Sequence, residues 1–118
     1  MERLKTRPDF LRAARGVRKV VPSVTLELCR TPEPRTKPEG VRVGFTASRK
    51  IGGAVERNRA KRRLREAARL LLPELASPGF DYVFVARGGV TTRPWPRLLD
   101  DVKSALIRLA ADRDRPAT

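Results

Sequence analysis

Ala54-Val55-Glu56-Arg57-Asn58-Arg59-Ala60-Lys61-Arg62-Arg63-Leu64-Arg65-Glu66-Ala67-Ala68-Arg69-Leu70-Leu71-Leu72, followed by Pro73, reads as the chain's clearest helix and carries its densest charge. Placed every 100° around a helix, Ala60, Leu64, Ala67, Ala68 and Leu71 fall on one apolar stripe, which must face a core. Opposite the stripe lie Asn58, Arg62, Arg65, Glu66 and Arg69. Arg57 and Lys61 flank one edge, and Arg59 and Arg63 lie toward the other. The pattern predicts a helix over residues 54–72 that docks on a sheet and shows guanidinium groups over most of its remaining surface. From Arg49 to Arg69 the segment holds nine basic and two acidic residues, half of the protein's net charge of +14. Like charges at i,i+4 (Arg57/Lys61, Lys61/Arg65, Arg65/Arg69) each cost a few tenths of a kcal/mol. A solvated face selected only for stability would mix its signs, so the charge points to a polyanion, and phosphates of nucleic acid are the commonest. A membrane surface is the competing partner, but the apolar stripe is small, alanine-rich and needed by the core.

Outward from this helix the elements alternate. On its N-terminal side Ser48-Arg49-Lys50-Ile51 leads into Gly52-Gly53, a turn whose N–H groups could meet a phosphate, although P-loop spacing is absent. Val41, Val43 and Phe45 alternate with Arg42, Gly44 and Thr46, the period of a strand. Residues 31–40, rich in proline and charge, read as a loop. Val24, Leu26 and Leu28 alternate with Thr25, Glu27 and Cys29 as a half-buried strand, expected to pair antiparallel with 41–46 across that loop. A short helix is expected over 6–15, with Thr6 and Asp9 spaced as a capping box, Pro8 in the first turn and Gly16 at its end. On the C-terminal side Tyr82-Val83-Phe84-Val85-Ala86 reads as a buried central strand. Gly88-Gly89 breaks the chain, and Trp95, Leu98, Leu99, Val102, Leu106 and Leu109 mark a helix over about 95–110. The reading is α+β: a single-domain α/β sandwich over 1–111, in the order α-β-β(-β)-α-β-α, with a frayed tail at 112–118.

The bulk numbers agree with one domain: 118 residues, 40% of them hydrophobic. The chain has no histidine and one cysteine, Cys29. That excludes a Ser-His-Asp triad, an imidazole base, an internal disulfide and a cysteine zinc site. Asp100-Asp101 is the one adjacent acidic pair; neighbours on a helix point about 100° apart, so surface charge is favoured over joint metal binding. No catalytic residue and no metal site is assigned to the protein. Met1-Glu2-Arg3-Leu4-Lys5 has no apolar stretch of a signal peptide, and no run approaches a membrane span, so a cytoplasmic location is expected.

Ser48 through Glu66 closely resembles the signature of the bacterial ribonuclease P protein component: basic-basic, Gly, Ala-Val, Arg-Asn-Arg, Lys-Arg, then Arg-Glu. Arg3-Leu4-Lys5 with Asp9-Phe10, Arg42-Val43-Gly44-Phe45 and Asp81-Tyr82-Val83 extend the resemblance over roughly residues 3–110. It implies a left-handed crossover from the 41–47 strand through the basic helix, against the usual rule. It implies a protein subunit of a ribonucleoprotein endoribonuclease that removes the 5′ leader of precursor tRNA, the chemistry being done by Mg²⁺ held mainly by the catalytic RNA subunit. Arg49, Lys50, Arg57, Asn58, Arg59, Lys61, Arg62 and Arg65 are then expected to bind that RNA. Phe10, Arg12 and Arg15 are expected to bind the leader, with Phe10 either a stacking or a core residue and Trp95 core. No membrane and no obligate protein partner is implied. The alternative is a ribosomal or assembly protein that binds rRNA.

Overall fold

A computed structural model describes residues 2–33 and 40–113. Residues 34–39 of the expected loop and 114–118 of the expected tail lie outside them. Among the described residues, strand β1 (Glu2–Arg3), helix α1 (Arg7–Ala14), strands β2 (Val17–Val21), β3 (Val24–Arg30) and β4 (Arg42–Thr46), helix α2 (Ala54–Leu75), strand β5 (Phe80–Ala86) and helix α3 (Trp95–Asp112) follow in order. A turn of 3₁₀ helix at Arg49–Ile51 precedes α2. The five strands form one sheet in the order β1-β4-β5-β3-β2.

β5 is central because its residues are apolar toward both faces. It pairs parallel with β4, where Phe45 opposes Phe84, and antiparallel with β3, where Leu26 opposes Phe84. The expected antiparallel pairing of 24–28 with 41–46 is therefore wrong: β5 separates the two strands. Their alternation could not reveal this, since a strand arriving later in the chain can insert between earlier ones. The crossover β4–α2–β5 joins adjacent parallel strands, and β2–β3 is a hairpin in which Val21 opposes Val24.

The pleat sends alternate residues to opposite faces. Val43, Phe45, Tyr82, Phe84, Ala86, Val24, Leu26 and Leu28 share the main core with the buried stripes of α2 and α3. Val83 turns the other way and joins Leu4 and Ala13, with Phe10, Cys29 and Val85 packed against them. Thus α2 and α3 cover one face and α1 lies on the other. Interior position also explains why Thr25 and Glu27, expected on an open face, are 5% exposed.

Several boundaries differ from the periodic reading. The buried stripe of α2 is Ala60, Leu64, Ala67, Ala68 and Leu72 rather than Leu71. Pro73 does not close α2, which continues to Leu75. A proline in the last turn forfeits a single backbone bond, and Ala76 N–H still reaches Leu72 O at 2.9 Å. Thr6 stands at the N-cap of α1, but its hydroxyl donates to Asp9 Oδ2 at 2.8 Å instead of accepting a backbone N–H, so no capping box forms. Gly16 follows α1 for lack of room: an added Cβ would lie 2.0 Å from Leu28 O. α3 continues to Asp112, whose carboxylate meets the Lys19 ammonium, so the chain is still helical where fraying was expected to begin.

Candidate nucleic-acid interface

The strand-to-helix turn sets the basic surface. Gly52, at φ 142°, takes a backbone conformation that L side chains rarely adopt, and Gly53 caps α2. From there α2 runs 22 residues with its stripe on the sheet, which leaves Asn58, Arg59, Arg62 and Arg65 exposed and Arg57 and Lys61 half-buried. Arg49 and Lys50 are exposed on the 3₁₀ turn just before it. All eight residues expected to bind RNA thus occupy one element and its lead-in. Arg57 Nε is buried and has no hydrogen-bond partner, so that guanidinium enters the surface with donor capacity unspent.

Two further arginines of the helix are engaged within the protein. Arg63 donates from Nη1 to Val90 O and from Nη2 to Arg93 O, both at 2.6 Å, fastening the segment between β5 and α3. Its guanidinium also stands 5.6 Å from the Trp95 ring. Arg69 pairs with Glu66 at 2.5–3.2 Å. Hydrogen bonds from Arg69 hold the Glu66 carboxyl below its ordinary range. Among the described residues, Arg62 and Arg65 have no such partner. Trp95 itself is half-buried at the edge of the main core rather than within it.

On the other face, the three residues expected at the leader do not share one pocket. Phe10 is half-buried over Gly44, where an added Cβ would lie 2.5 Å from Phe10 Cε1. Its ring joins the small second core yet keeps part of its surface open. Arg12 and Arg15 instead line a depression of about 310 Å³ with Pro8 and Leu11, on the flank of α1.

What holds α1 in place was missed in the sequence. Asp81, fully buried in β5, accepts from Arg42 Nε and Nη2 at 2.9 Å each and from Thr31 Oγ1 at 2.7 Å. Arg42 also reaches Asp9 of α1 at 2.9 Å, and Asp9 is bonded by Arg12 at the same distance. Burial alone would raise the Asp9 pKa, but the bonds from Thr6, Arg12 and Arg42 together outweigh it and hold the carboxyl low. The available signal was an acid at the head of a strand otherwise apolar, which demands a buried partner. Cys29 lies 4.0 Å from Asp81, and burial with that negative charge pushes its thiol up to about 11. Asp101 is also not the surface charge expected: it is buried, accepts from Ser23 Oγ at 3.1 Å and pairs with Arg93.

The arrangement suits phosphate binding by unpaired guanidinium groups on α2. Among the described residues, no group of three His, Cys, Asp or Glu side chains could hold a metal ion, and no helix is long and apolar enough to cross a membrane.

The family model described as Ribonuclease P matches residues 1–110. The ribonuclease P protein component of Caulobacter vibrioides (strain NA1000 / CB15N) is 63% identical over 118 residues, covering 99% of this chain and 76% of the relative. That of Ruegeria pomeroyi is 50% identical over 111 residues, covering 93% and 87%. The fold is similar to the RNase P protein of Staphylococcus aureus, with a TM-score of 0.74 at 22% identity over 97% of this chain and 99% of that one. The RNase P protein from Thermotoga maritima gives a TM-score of 0.74 at 25% identity over 92% and 97%.

Proposed function

The chain belongs to the ribonuclease P protein component family, whose role is 5′ processing of tRNA with an RNA subunit as partner, and from that premise we propose that it is a non-catalytic subunit with two RNA surfaces. The exposed face of α2 and its lead-in, from Arg49 and Lys50 through Arg65, binds the catalytic RNA. The opposite face of the sheet, beside Phe10 and the Arg12/Arg15 flank of α1, binds the 5′ leader of precursor tRNA. The observation that supports this most is the set of unpaired cations on α2. Arg63 and Arg69 are engaged within the protein, while Arg59, Arg62 and Arg65 extend into solvent.

The division of labour follows from the side chains available. Without histidine the chain has no imidazole to move a proton near neutrality. Among the described residues the two buried aspartates, Asp81 and Asp101, are already paired with arginine. Among the described residues no group of three carboxylate or thiol side chains gathers to hold a metal ion, and in this reading Mg²⁺ is held mainly by the RNA. The protein's contribution is electrostatic: cations on α2 offset phosphate repulsion where RNA helices and substrate converge, so less Mg²⁺ is needed to hold them together.

Reconstitution tests this reading. Added to a bacterial ribonuclease P RNA, the protein should lower the Mg²⁺ concentration needed to cleave precursor tRNA, and should cleave nothing alone. An unchanged Mg²⁺ requirement, or cleavage without RNA, would refute it.

A further inference from the structure

Where α2 passes the start of α3, Arg62, Arg63, Arg65, Glu66, Arg69 and Trp95 line an open depression of about 530 Å³. Its size falls within the roughly 300–1,000 Å³ usual for small-ligand sites. Its chemistry is mixed in a particular way. Trp95 and the aliphatic stems of the arginines supply flat apolar walls. Arg63, held by two backbone carbonyls, keeps its guanidinium over the indole and thereby fixes an aromatic–guanidinium shelf. Glu66 is neutralised by Arg69 and so does not repel an anion. Arg62 and Arg65 remain at the rim without an ion-pair partner among the described residues.

A phosphate alone would use the rim and leave the shelf empty. A base-paired helix would use the rim too, because its bases are stacked on one another. A ligand that uses both has an exposed planar face and an adjacent negative charge. That describes an unpaired nucleotide, since single-stranded bases stack on aromatic and guanidinium planes.

We propose that this depression receives one unpaired nucleotide of the RNA subunit, its base packed on the Trp95–Arg63 shelf and its phosphate held by Arg62 and Arg65. The assignment rests on the reading that α2 meets the RNA subunit and adds a base-stacking contact to it. The RNA subunit is chosen over the leader because α2 and α3 cover the sheet face opposite α1. The depression is continuous with the exposed cations of α2 through Arg62 and Arg65.

Trp95 is the sole tryptophan, so its fluorescence reports on this site alone. Titrating the full chain with a bacterial ribonuclease P RNA should quench Trp95 emission in a saturable way, as a base stacks on the indole. A single-stranded leader oligonucleotide should leave the emission unchanged. Trp95→Leu should weaken RNA affinity roughly 5- to 150-fold, the range for one stacked base, whereas Trp95→Phe should retain most of it. Binding of RNA with undiminished emission would overturn the proposal while leaving the function reading intact. So would quenching by the leader oligonucleotide alone. Failure of the RNA to bind at all would remove both. Because the fluorescence arm uses the unaltered protein, an unstable Trp95→Leu variant does not shield the proposal.

Discussion

Replacing Arg62 and Arg65 together by glutamine tests whether α2 grips discrete phosphates or supplies only a general positive field. Both side chains are exposed and unpartnered among the described residues, so folding should be unaffected, with stability changing by less than about 0.5 kcal/mol. Every phosphate that the variant leaves unneutralised should reduce the slope of log affinity against log salt by about 0.7–0.9. For two such phosphates, a fourfold rise in salt, from about 50 to about 200 mM, corresponds to a factor of about ten. The variant should therefore be much weaker than the parent at about 50 mM, and that gap should narrow about tenfold by about 200 mM. The comparison is Lys103→Gln with Arg108→Gln, which removes the same formal charge from the exposed surface of α3. A general field would make the two double variants equivalent. Filter binding to the RNA subunit across the salt series decides it. Equal slopes for both, or an unchanged slope for the α2 variant, would refute local phosphate binding by these residues.

Other outcomes follow from the groups beneath the surface. Asp81→Ala leaves Arg42 without its main partner and loosens Asp9 of α1, and should cost about 3–5 kcal/mol, or on the order of 10–20 °C in melting temperature; Asp81→Ala with Arg42→Met should recover much of it. Burial raises the Glu27 pKa, only partly offset by Arg18, so the folded state holds this proton more tightly than the unfolded chain. Stability from this group is present in acid and lost as pH rises above the unfolded value near 4.5, so Glu27→Gln should stabilise the protein at about pH 7 and not at about pH 4, as urea unfolding would show. With its thiol pushed from 9.0 up to about 11, Cys29 should be alkylated by iodoacetamide at about pH 8 about 100-fold more slowly than in urea, and equal rates would contradict its burial. Phe10→Leu keeps an apolar side chain over Gly44 but removes the aromatic face; it should weaken precursor tRNA binding by roughly 1–3 kcal/mol and spare mature tRNA, an equal loss for both counting against stacking.

The elements legible in the sequence were those whose burial has a period. α2 and α3 each show one stripe, and β5 is apolar apart from Asp81, so their type and core faces could be read directly. What could not be read was pairing. β3 and β4 have the same alternation whether they touch or flank a third strand, and β5 lies far along the chain from the start of β3. The two-residue β1 is too short to show any period, and β2 mixes Arg18 and Lys19 with its valines. The basic surface was visible as charge density, but charge density does not separate free cations from engaged ones. Arg62 and Arg63 are adjacent and identical in sequence; only the structure shows one exposed and the other hydrogen-bonded to Val90 and Arg93.

β4 shows how a protein this small places the two proposed RNA surfaces. Val43 and Phe45 project into the core under α2, while Arg42 and Gly44 project toward α1, one bonding Asp9 and the other admitting the Phe10 ring. A single short strand thus helps place both the helix that carries the cations and the helix that carries Phe10, Arg12 and Arg15. The sheet between them is a fixed spacer, because β4 is paired on both sides, by β1 and β5, and its Arg42 is bound to Asp81 of β5 on the α1 face. Under the proposed function, anchoring α2 on the catalytic RNA would also set where α1 stands. The basic helix around Arg57, Asn58 and Arg59 is in this sense half of the device. The other half is the buried acid at Asp81, which through Arg42 and Asp9 ties α1 to the sheet that carries α2.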